Sequence, residues 1–279
     1  MKAIFSSFNN LKIGIVGVGF VGKALRQYFE KQKKPLLLYD KFKNIGSFEQ
    51  INQADVVFIC VPTPFNKEKG FDLSFVEDIV YKIEGEKIIV IKSTVLPGTT
   101  EKLQEKYSQH KFLFNPEFLT ETSPDQDFAY PDRQIVGYTK QSFNVAEDIL
   151  NLLPLAPTMK LLPATEAEMV KYFGNAFLST KVIFANQIYD LCQKLGINYE
   201  MVAECAGADK RIGRSHLTVW HQGKRGYAGK CLPKDTKSFI EFADEQEIDL
   251  KLLRMVDEIN DKLLKDQGIK DPEKLSKRE

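Results

Sequence analysis

Short apolar runs of strand length, alternating with helix-length amphipathic stretches, restrict this chain more than any other feature. LKIGIVGVG is followed by FVGKALRQYFEKQKK, in which Leu25, Tyr28 and Phe29 fall on one helical face; PLLLYD, DVVFICVP and EKIIVIKSTV are further runs rich in Val, Ile and Leu. Strands so uniformly apolar are buried on both faces, as in a sheet with helices packed above and below it. KFLFNPEF, QIVGY and MKLLP continue the series to about residue 163, with a helical pattern at SFNVAEDILNLL between the last two. The expectation is an α/β chain whose residues 1–163 form a doubly wound parallel sheet.

After that point the period changes. ATEAEMVKYFGNAFLSTKVIFANQIYDLCQKLGI is one long helical pattern, opened by Thr165 and Glu168 at capping-box spacing and closed by Gly196. Residues 164–279 are therefore expected to form a second, helical domain with this helix as its spine. A last helical pattern, DLKLLRMVDEINDKLLKDQG, puts Leu250, Leu253, Val256, Ile259 and Leu263 on a stripe that needs cover, either from its own core or from a second copy.

Charge and cysteine usage exclude several function classes. Lys and Arg number 39 against 38 Asp and Glu, so the net charge of +1 gives no electrostatic reason to expect nucleic acid or an anionic membrane surface. A small molecule is the expected partner. No apolar run approaches the roughly 18 residues of a membrane span, and MKAIFSSFNNLKIGIVGVG lacks the order of a secretory signal, so the expected location is cytoplasmic. Cys60, Cys192, Cys205 and Cys231 are widely spaced, and no carboxylate or thiol accompanies His216 and His221 at ligand spacing; neither a disulfide framework nor a metal site is expected.

GVGFVG supplies Gly17, Gly19 and Gly22 directly after an apolar strand and at the opening of an amphipathic helix. Asp40 follows LLLY, about the 20 residues on that a Rossmann-type dinucleotide site requires. The glycines permit the turn, the approach of pyrophosphate and close helix packing, and the helix N-terminus meets the phosphate charge. Asp40 would accept from a ribose hydroxyl and repel a 2′-phosphate, which favours NAD over NADP; Lys41 and Lys43 weaken that preference without reversing it.

RGYAGKCLPKDTKSF places Cys231 after Gly226 and Gly229 and at the start of the helical pattern KDTKSFIEFADEQ. Lys234 and a helix N-terminus both favour a thiolate, although an isolated free cysteine is more often an inert apolar residue. Lys171 and Asn175, four apart, share one face of the long helix; spacing alone equally describes a solvated pair. A nucleophilic cysteine beside a dinucleotide motif implies an aldehyde-level intermediate: hydride loss makes a carbonyl, thiolate attack a thiohemiacetal, and a second hydride loss a thioester that water cleaves.

GYAGKCLPKD resembles the active-site loop of the UDP-glucose and GDP-mannose dehydrogenase family, commonly G-[FY]-G-G-x-C-[LF]-P-K-D. GVGFVG, VPTPFN, KSTVLPGTT, NPEFLTE, YPDRQIVG, EAEMVKYFGNAFLSTKVIFANQ and DKRIG occur in the family's order, over nearly the whole chain. The resemblance implies Cys231 as nucleophile, Lys171 and Asn175 as the pair that polarises substrate oxygen, and Asp235, Thr94 and Glu117 as groups that position or activate water. It implies Asp40, Thr63, Thr94, Glu121 and Lys234 on the cofactor side. On the substrate side it places Glu117, Lys171, Asn175, Tyr227 and Gly229, with Arg211 reaching a neighbouring subunit's site and hence a homodimer.

There are departures from the family pattern. Ala228 stands where a glycine is usual, which puts a methyl group against the sugar or the loop. Thr120 and Thr122 replace the usual Arg and Gly or Ser, Gln187 replaces a usual Glu, and RSHLTVWHQGKR is longer than its counterpart in some members. Similar members continue into a third, nucleotide-holding α/β domain, whereas this sequence ends at Glu279 after KDPEKLSKRE. The expectation is an NAD-dependent oxidation of a nucleotide sugar's primary alcohol to the acid, UDP-glucose to UDP-glucuronate above all. Two alternatives stand beside it: another sugar nucleotide with a separate chain completing the site, or a regulatory NAD-binding scaffold without turnover. Cys231, Lys171, Asn175, Asp235 and Glu117 together favour the enzyme, because a binding module needs none of them.

Overall fold

The computed structural model describes residues 11–66, 68–221 and 223–272. The first ten residues and the tail beyond Pro272 lie outside the described residues. Each apolar run becomes a strand because its two sets of alternating side chains both find cover. In β3 (Val56–Ile59), Val56 and Phe58 join one core, with Ile13, Leu25, Phe29 and Leu113, while Val57 and Ile59 join a second, with Ile51, Val76, Ile89 and Phe112. Burying one such side chain is worth about 1.5–3 kcal/mol, so four consecutive buried residues hold a strand that propensity alone would not.

In chain order the first unit runs β1 (Ile13–Val16), α1 (Phe20–Lys31), β2 (Leu36–Tyr39), α2 (Phe48–Ile51), β3, and the short antiparallel pair β4 (Phe65–Asn66) and β5 (Gly70–Phe71). It continues through α3 (Ser74–Lys82), β6 (Ile88–Ile91), α4 (Thr99–Lys106), β7 (Lys111–Phe114), α5 (Pro124–Ala129), β8 (Arg133–Tyr138), α6 (Phe143–Leu152) and β9 (Thr158–Pro163). The main sheet has the order β2-β1-β3-β6-β7-β8-β9. From β2 to β7 it is parallel, with Ile13 opposite both Leu36 and Val56. Strand order reverses about β1, between β2 and β3, and ligands of doubly wound sheets bind at such a switch point.

The parallel sheet expected from the sequence is observed, with one exception at its β8–β9 edge. β8 is antiparallel to β7, and β9 is parallel to β8. The link between β7 and β8 carries the six-residue α5.

One compact unit runs to Lys171 and another from Tyr172, so the change falls inside the long helix α7 (Ala164–Leu195). Gly196 ends that helix with φ +69°. The first two turns belong with the sheet: a Cβ on Gly137 of β8 would lie 2.8 Å from the Ala167 Cβ. The capping box expected at Thr165 and Glu168 is replaced by a longer-range bond set. Glu168 is solvent-free and accepts from Gly98 N–H (2.6 Å), Thr100 N–H (2.8 Å) and the Thr100 hydroxyl (2.6 Å). It thereby caps α4, where a carboxylate also meets the positive helix end.

The second unit adds α8 (Tyr199–Gly207), α9 (Leu232–Glu245) and α10 (Lys251–Asp266). Leu253 and Val256 of α10 are buried with Val182, Ile183, Tyr227 and Ile240, and Leu250 and Ile259 pack against them. The stripe expected on α10 is therefore covered by the unit's own core, and its interface reading is set aside.

Candidate active site

The cofactor motif forms the turn from β1 into α1. Gly17 has φ +86°, and a Cβ there would lie 2.6 Å from the Cys60 carbonyl oxygen; a Cβ on Gly22 would lie 1.9 Å from the Gly17 oxygen. Packing alone dictates these two glycines. A Cβ on Gly19 would meet nothing within 4 Å, so the chain's own packing does not require that glycine, and the open side at the α1 N-terminus suits a pyrophosphate. Asp40 sits at the end of β2, as the sequence spacing requires. Its Oδ2 accepts from Val18 N–H at 2.8 Å, and its Oδ1 accepts from the N–H groups of Phe42 and Lys43. The carboxylate thus braces the glycine loop, and Oδ2 keeps lone-pair capacity for a ribose hydroxyl. Thr63 donates to the Thr94 carbonyl at 2.7 Å, which joins the ends of two loops that follow β3 and β6. These residues fit NAD.

Also in the first unit, Lys171 Nζ lies 2.8 Å from both the carbonyl oxygen and Oε1 of Glu117, and Glu117 Oε2 accepts from Leu119 N–H at 2.8 Å. Both side chains of this ion pair are buried. Replacing a buried pair by apolar residues is often neutral or stabilising, so the pair is poor evidence of a stability role. Sequence reasoning missed a third charge. Lys92, also buried, donates to Asn115 Oδ1 at 2.5 Å, and its ammonium lies 5.3 Å from the Phe128 ring centroid. Burial, partly opposed by Cys60 and Glu117, pushes the Lys92 ammonium down to about 8. The signal was present in KSTV: an apolar strand that ends on a lysine must leave the charge near the core.

In the second unit Cys231 is the N-cap residue of α9, half-buried, with Gly226 and Gly229 at φ +82° and +85° before it. The helix begins at Leu232 rather than Lys234, with Pro233 in its first turn. Asp235 is 1% exposed; its N–H donates to the Cys231 carbonyl at 2.8 Å, and its carboxylate accepts from Asn175 Nδ2 at 2.5 Å and pairs with Lys234. Ser179, one turn further along α7, is hydrogen-bonded at 2.9 Å to Thr236, the residue after Asp235. Asn175 is therefore no solvated surface residue. Tyr227 is buried, with its hydroxyl 3.3 Å from Asp257 Oδ1.

The structure does not draw every expected residue into these two groups. Glu121 is exposed in the loop after β7. The Arg211 side chain is 89% exposed and chelates Asp209, two residues back, with Nη2 to Oδ2 at 2.5 Å.

A sheet with a glycine turn at its switch point, followed by a helical unit offering a cysteine at a helix start, defines a two-unit dinucleotide-binding protein. Residues 40–152 match the NAD binding domain of the UDP-glucose/GDP-mannose dehydrogenase family, and residues 165–262 match its central domain. The UDP-glucose 6-dehydrogenase of Rickettsia prowazekii is 37% identical over 226 residues, covering 77% of this chain and 51% of that protein. A UDP-glucose dehydrogenase structure from Pyrobaculum islandicum superposes with a TM-score of 0.79 at 26% identity, over 92% of this chain and 71% of that one. The Mycobacterium tuberculosis 3-hydroxyisobutyrate dehydrogenase shares the fold, with a TM-score of 0.71 at 15% identity over 94% of this chain and 96% of that one. The chain belongs to the UDP-glucose/GDP-mannose dehydrogenase family. It spans about half the length of the curated relatives it matches, and its cofactor is NAD. Among the described residues, no helix is long and apolar enough to cross a membrane.

Proposed function

We propose that this chain oxidises the primary alcohol of a nucleotide sugar to the acid, with UDP-glucose to UDP-glucuronate as the first candidate, through a covalent intermediate on Cys231. The observation that carries the reading is Cys231 at the start of α9, one turn from an Asp235 that is buried and held by Asn175. A purely structural cysteine needs no buried carboxylate beside it. NAD, when bound, accepts a hydride at each of the two oxidation steps.

Lys171 directs its charge at the alcohol oxygen as its proton leaves, and Glu117 fixes the position of that ammonium. The Cys231 thiolate adds to the resulting aldehyde carbon, forming the C–S bond of a thiohemiacetal whose oxygen Asn175 stabilises. Loss of the second hydride converts it to a thioester. Water positioned by Asp235, Thr94 and Glu117 adds to the thioester carbon, the C–S bond breaks, and acid and thiol are released. One alcohol and one water thus give one acid, with two NAD reduced. Asp40, Thr63, Thr94, Glu121, Lys234 and the glycines Gly17, Gly19 and Gly22 serve the cofactor; Tyr227 and Gly229 serve the sugar.

The same reading includes a homodimer through α7. Phe173, Phe177, Phe184, Leu191 and Leu195 are between 54% and 70% exposed, and at 100° per residue they fall within about 40° of one another around the helix. A stripe of that size needs cover, and the reading assigns the exposed Arg211 to the neighbouring subunit's site, as the family resemblance implies.

The test is purified chain with NAD and UDP-glucose, following reduced cofactor and acid. Two NADH per acid are expected, with Cys231→Ser forming little or no acid because its hydroxyl is far less ionised than a thiol. Wild-type acid production by Cys231→Ser would refute the covalent route. NAD binding without turnover of any sugar nucleotide would favour the scaffold alternative.

A further inference from the structure

Asn260 is the unexpected residue of α10. It occupies a position in the buried stripe between Val256 and Leu264, is 1% exposed, and stands where a leucine would bury more apolar surface. Its amide is used on both sides by one loop residue: Tyr227 N–H donates to Oδ1 at 2.8 Å, and Nδ2 donates to the Tyr227 carbonyl at 3.0 Å. Seven residues on, Gln267 repeats the pattern with Arg225, accepting from its N–H at 2.8 Å and donating to its carbonyl at 3.1 Å. Gly229 N–H then donates to the Pro272 carbonyl at 2.9 Å. Every second residue of the 225–229 stretch is thus held by its backbone to α10 or to the segment that follows it. Gly226 also belongs to the clamp, because a Cβ there would lie 2.7 Å from Asn260 Oδ1.

α10 also holds the chain beyond the cysteine. Lys237 of α9 donates to Asp257 at 2.6 Å and to Asp261 at 2.9 Å. Cys231 therefore lies between two segments fixed to one helix, and a buried amide is a means of setting register that apolar packing lacks.

We propose that Asn260, supported by Gln267, is a positioning residue for the oxidation: its pairing with the Tyr227 backbone fixes where the glycine loop presents Cys231. The functional part rests on the reading of Cys231 as nucleophile; the clamp itself does not.

The test is Asn260→Leu in the full chain, with Gln267→Leu as a second variant. Asn260→Leu leaves the buried Tyr227 N–H and carbonyl without their partner, so it should melt below the wild-type temperature but still as one cooperative transition. Alkylation of Cys231 by iodoacetamide, resolved by mass spectrometry against exposed Cys205 and buried Cys192 in the same molecule, should accelerate about tenfold as the loop opens locally. Gln267→Leu should act in the same direction but less strongly. With substrate, kcat should fall about tenfold or more with the KM for NAD unchanged. A wild-type alkylation ratio in both variants overturns the proposal, as does equal acceleration at all three cysteines, which would mean global loosening. If wild-type chain forms no acid, that counts against the proposed oxidation, and the alkylation ratio still decides the clamp.

Discussion

At the scale of the residue, the buried ion pair of Lys171 and Glu117 makes a prediction that separates chemistry from stability. Lys171→Ala should lower the rate of the first hydride step by the equivalent of roughly 2.7–4 kcal/mol, as for loss of one oxyanion donor. It should also destabilise the first unit by about 3–5 kcal/mol, because Glu117 is left buried and charged. Lys171→Met with Glu117→Gln should recover most of the stability, read as a urea midpoint, and none of the rate. Recovery of the rate would show that the lysine acts structurally. Asp40 carries a second prediction. Asp40→Ala removes the proposed ribose acceptor together with the brace on Val18 N–H, so titrations should show NAD binding weakened by about tenfold or more and the bias against NADP relaxed. Unchanged NAD affinity would mean that the carboxylate serves only the loop.

At the scale of the element, Glu168 ties the start of α7 to the start of α4. Removing it strands two backbone N–H groups and a hydroxyl in a solvent-free place, so Glu168→Ala should cost about 1–3 kcal/mol or more, the usual cost of leaving a buried donor unsatisfied. The pair Thr165 and Glu168 was read from spacing as a capping box, a local device. Spacing cannot show that Gly98 and Thr100 lie closer to that carboxylate than its own helix start does. The glycine motif was legible for the opposite reason, since Gly17 and Gly22 answer to contacts within the turn and with the adjacent strand end. Asn175 lay between these cases. Its face on the helix was readable, but its bond to Asp235 depends on how α9 packs.

At the scale of the whole molecule, two buried charges should shape stability against pH. Burial pushes the Glu168 carboxyl up to about 7 from 4.5, against three hydrogen bonds that favour the anion, and pushes Lys92 down to about 8 from 10.5. Between pH 4.5 and 7 the folded chain binds the extra proton at Glu168, so stability should fall as pH rises. Between pH 8 and 10.5 the unfolded chain binds the extra proton at Lys92, so stability should rise with pH, by at most about 1.4 kcal/mol per unit. Urea midpoints should show Lys92→Met without the upper rise; a wild-type rise in that variant would assign it to another group. For assembly, light scattering at micromolar concentration should give a dimer mass, and Phe177→Asp with Phe184→Asp a monomer. A monomeric unmodified chain would overturn the α7 interface.

The alternation of strands and helices, the glycine turn after β1, the end of α7 at Gly196 and a cysteine at a helix start are all legible in the chain alone. All of these follow from hydrophobic period and turn chemistry acting over a few residues. The reversal of β8 and β9, the burial of the α10 stripe in its own core, and the partners of Glu168, Lys92 and Asn260 depend on packing between distant segments. Those partners lie from 33 to 70 positions away along the chain for Asn260 and Glu168. A buried polar group takes whichever partner packing brings within hydrogen-bond reach, because leaving it unpaired costs more than any local preference.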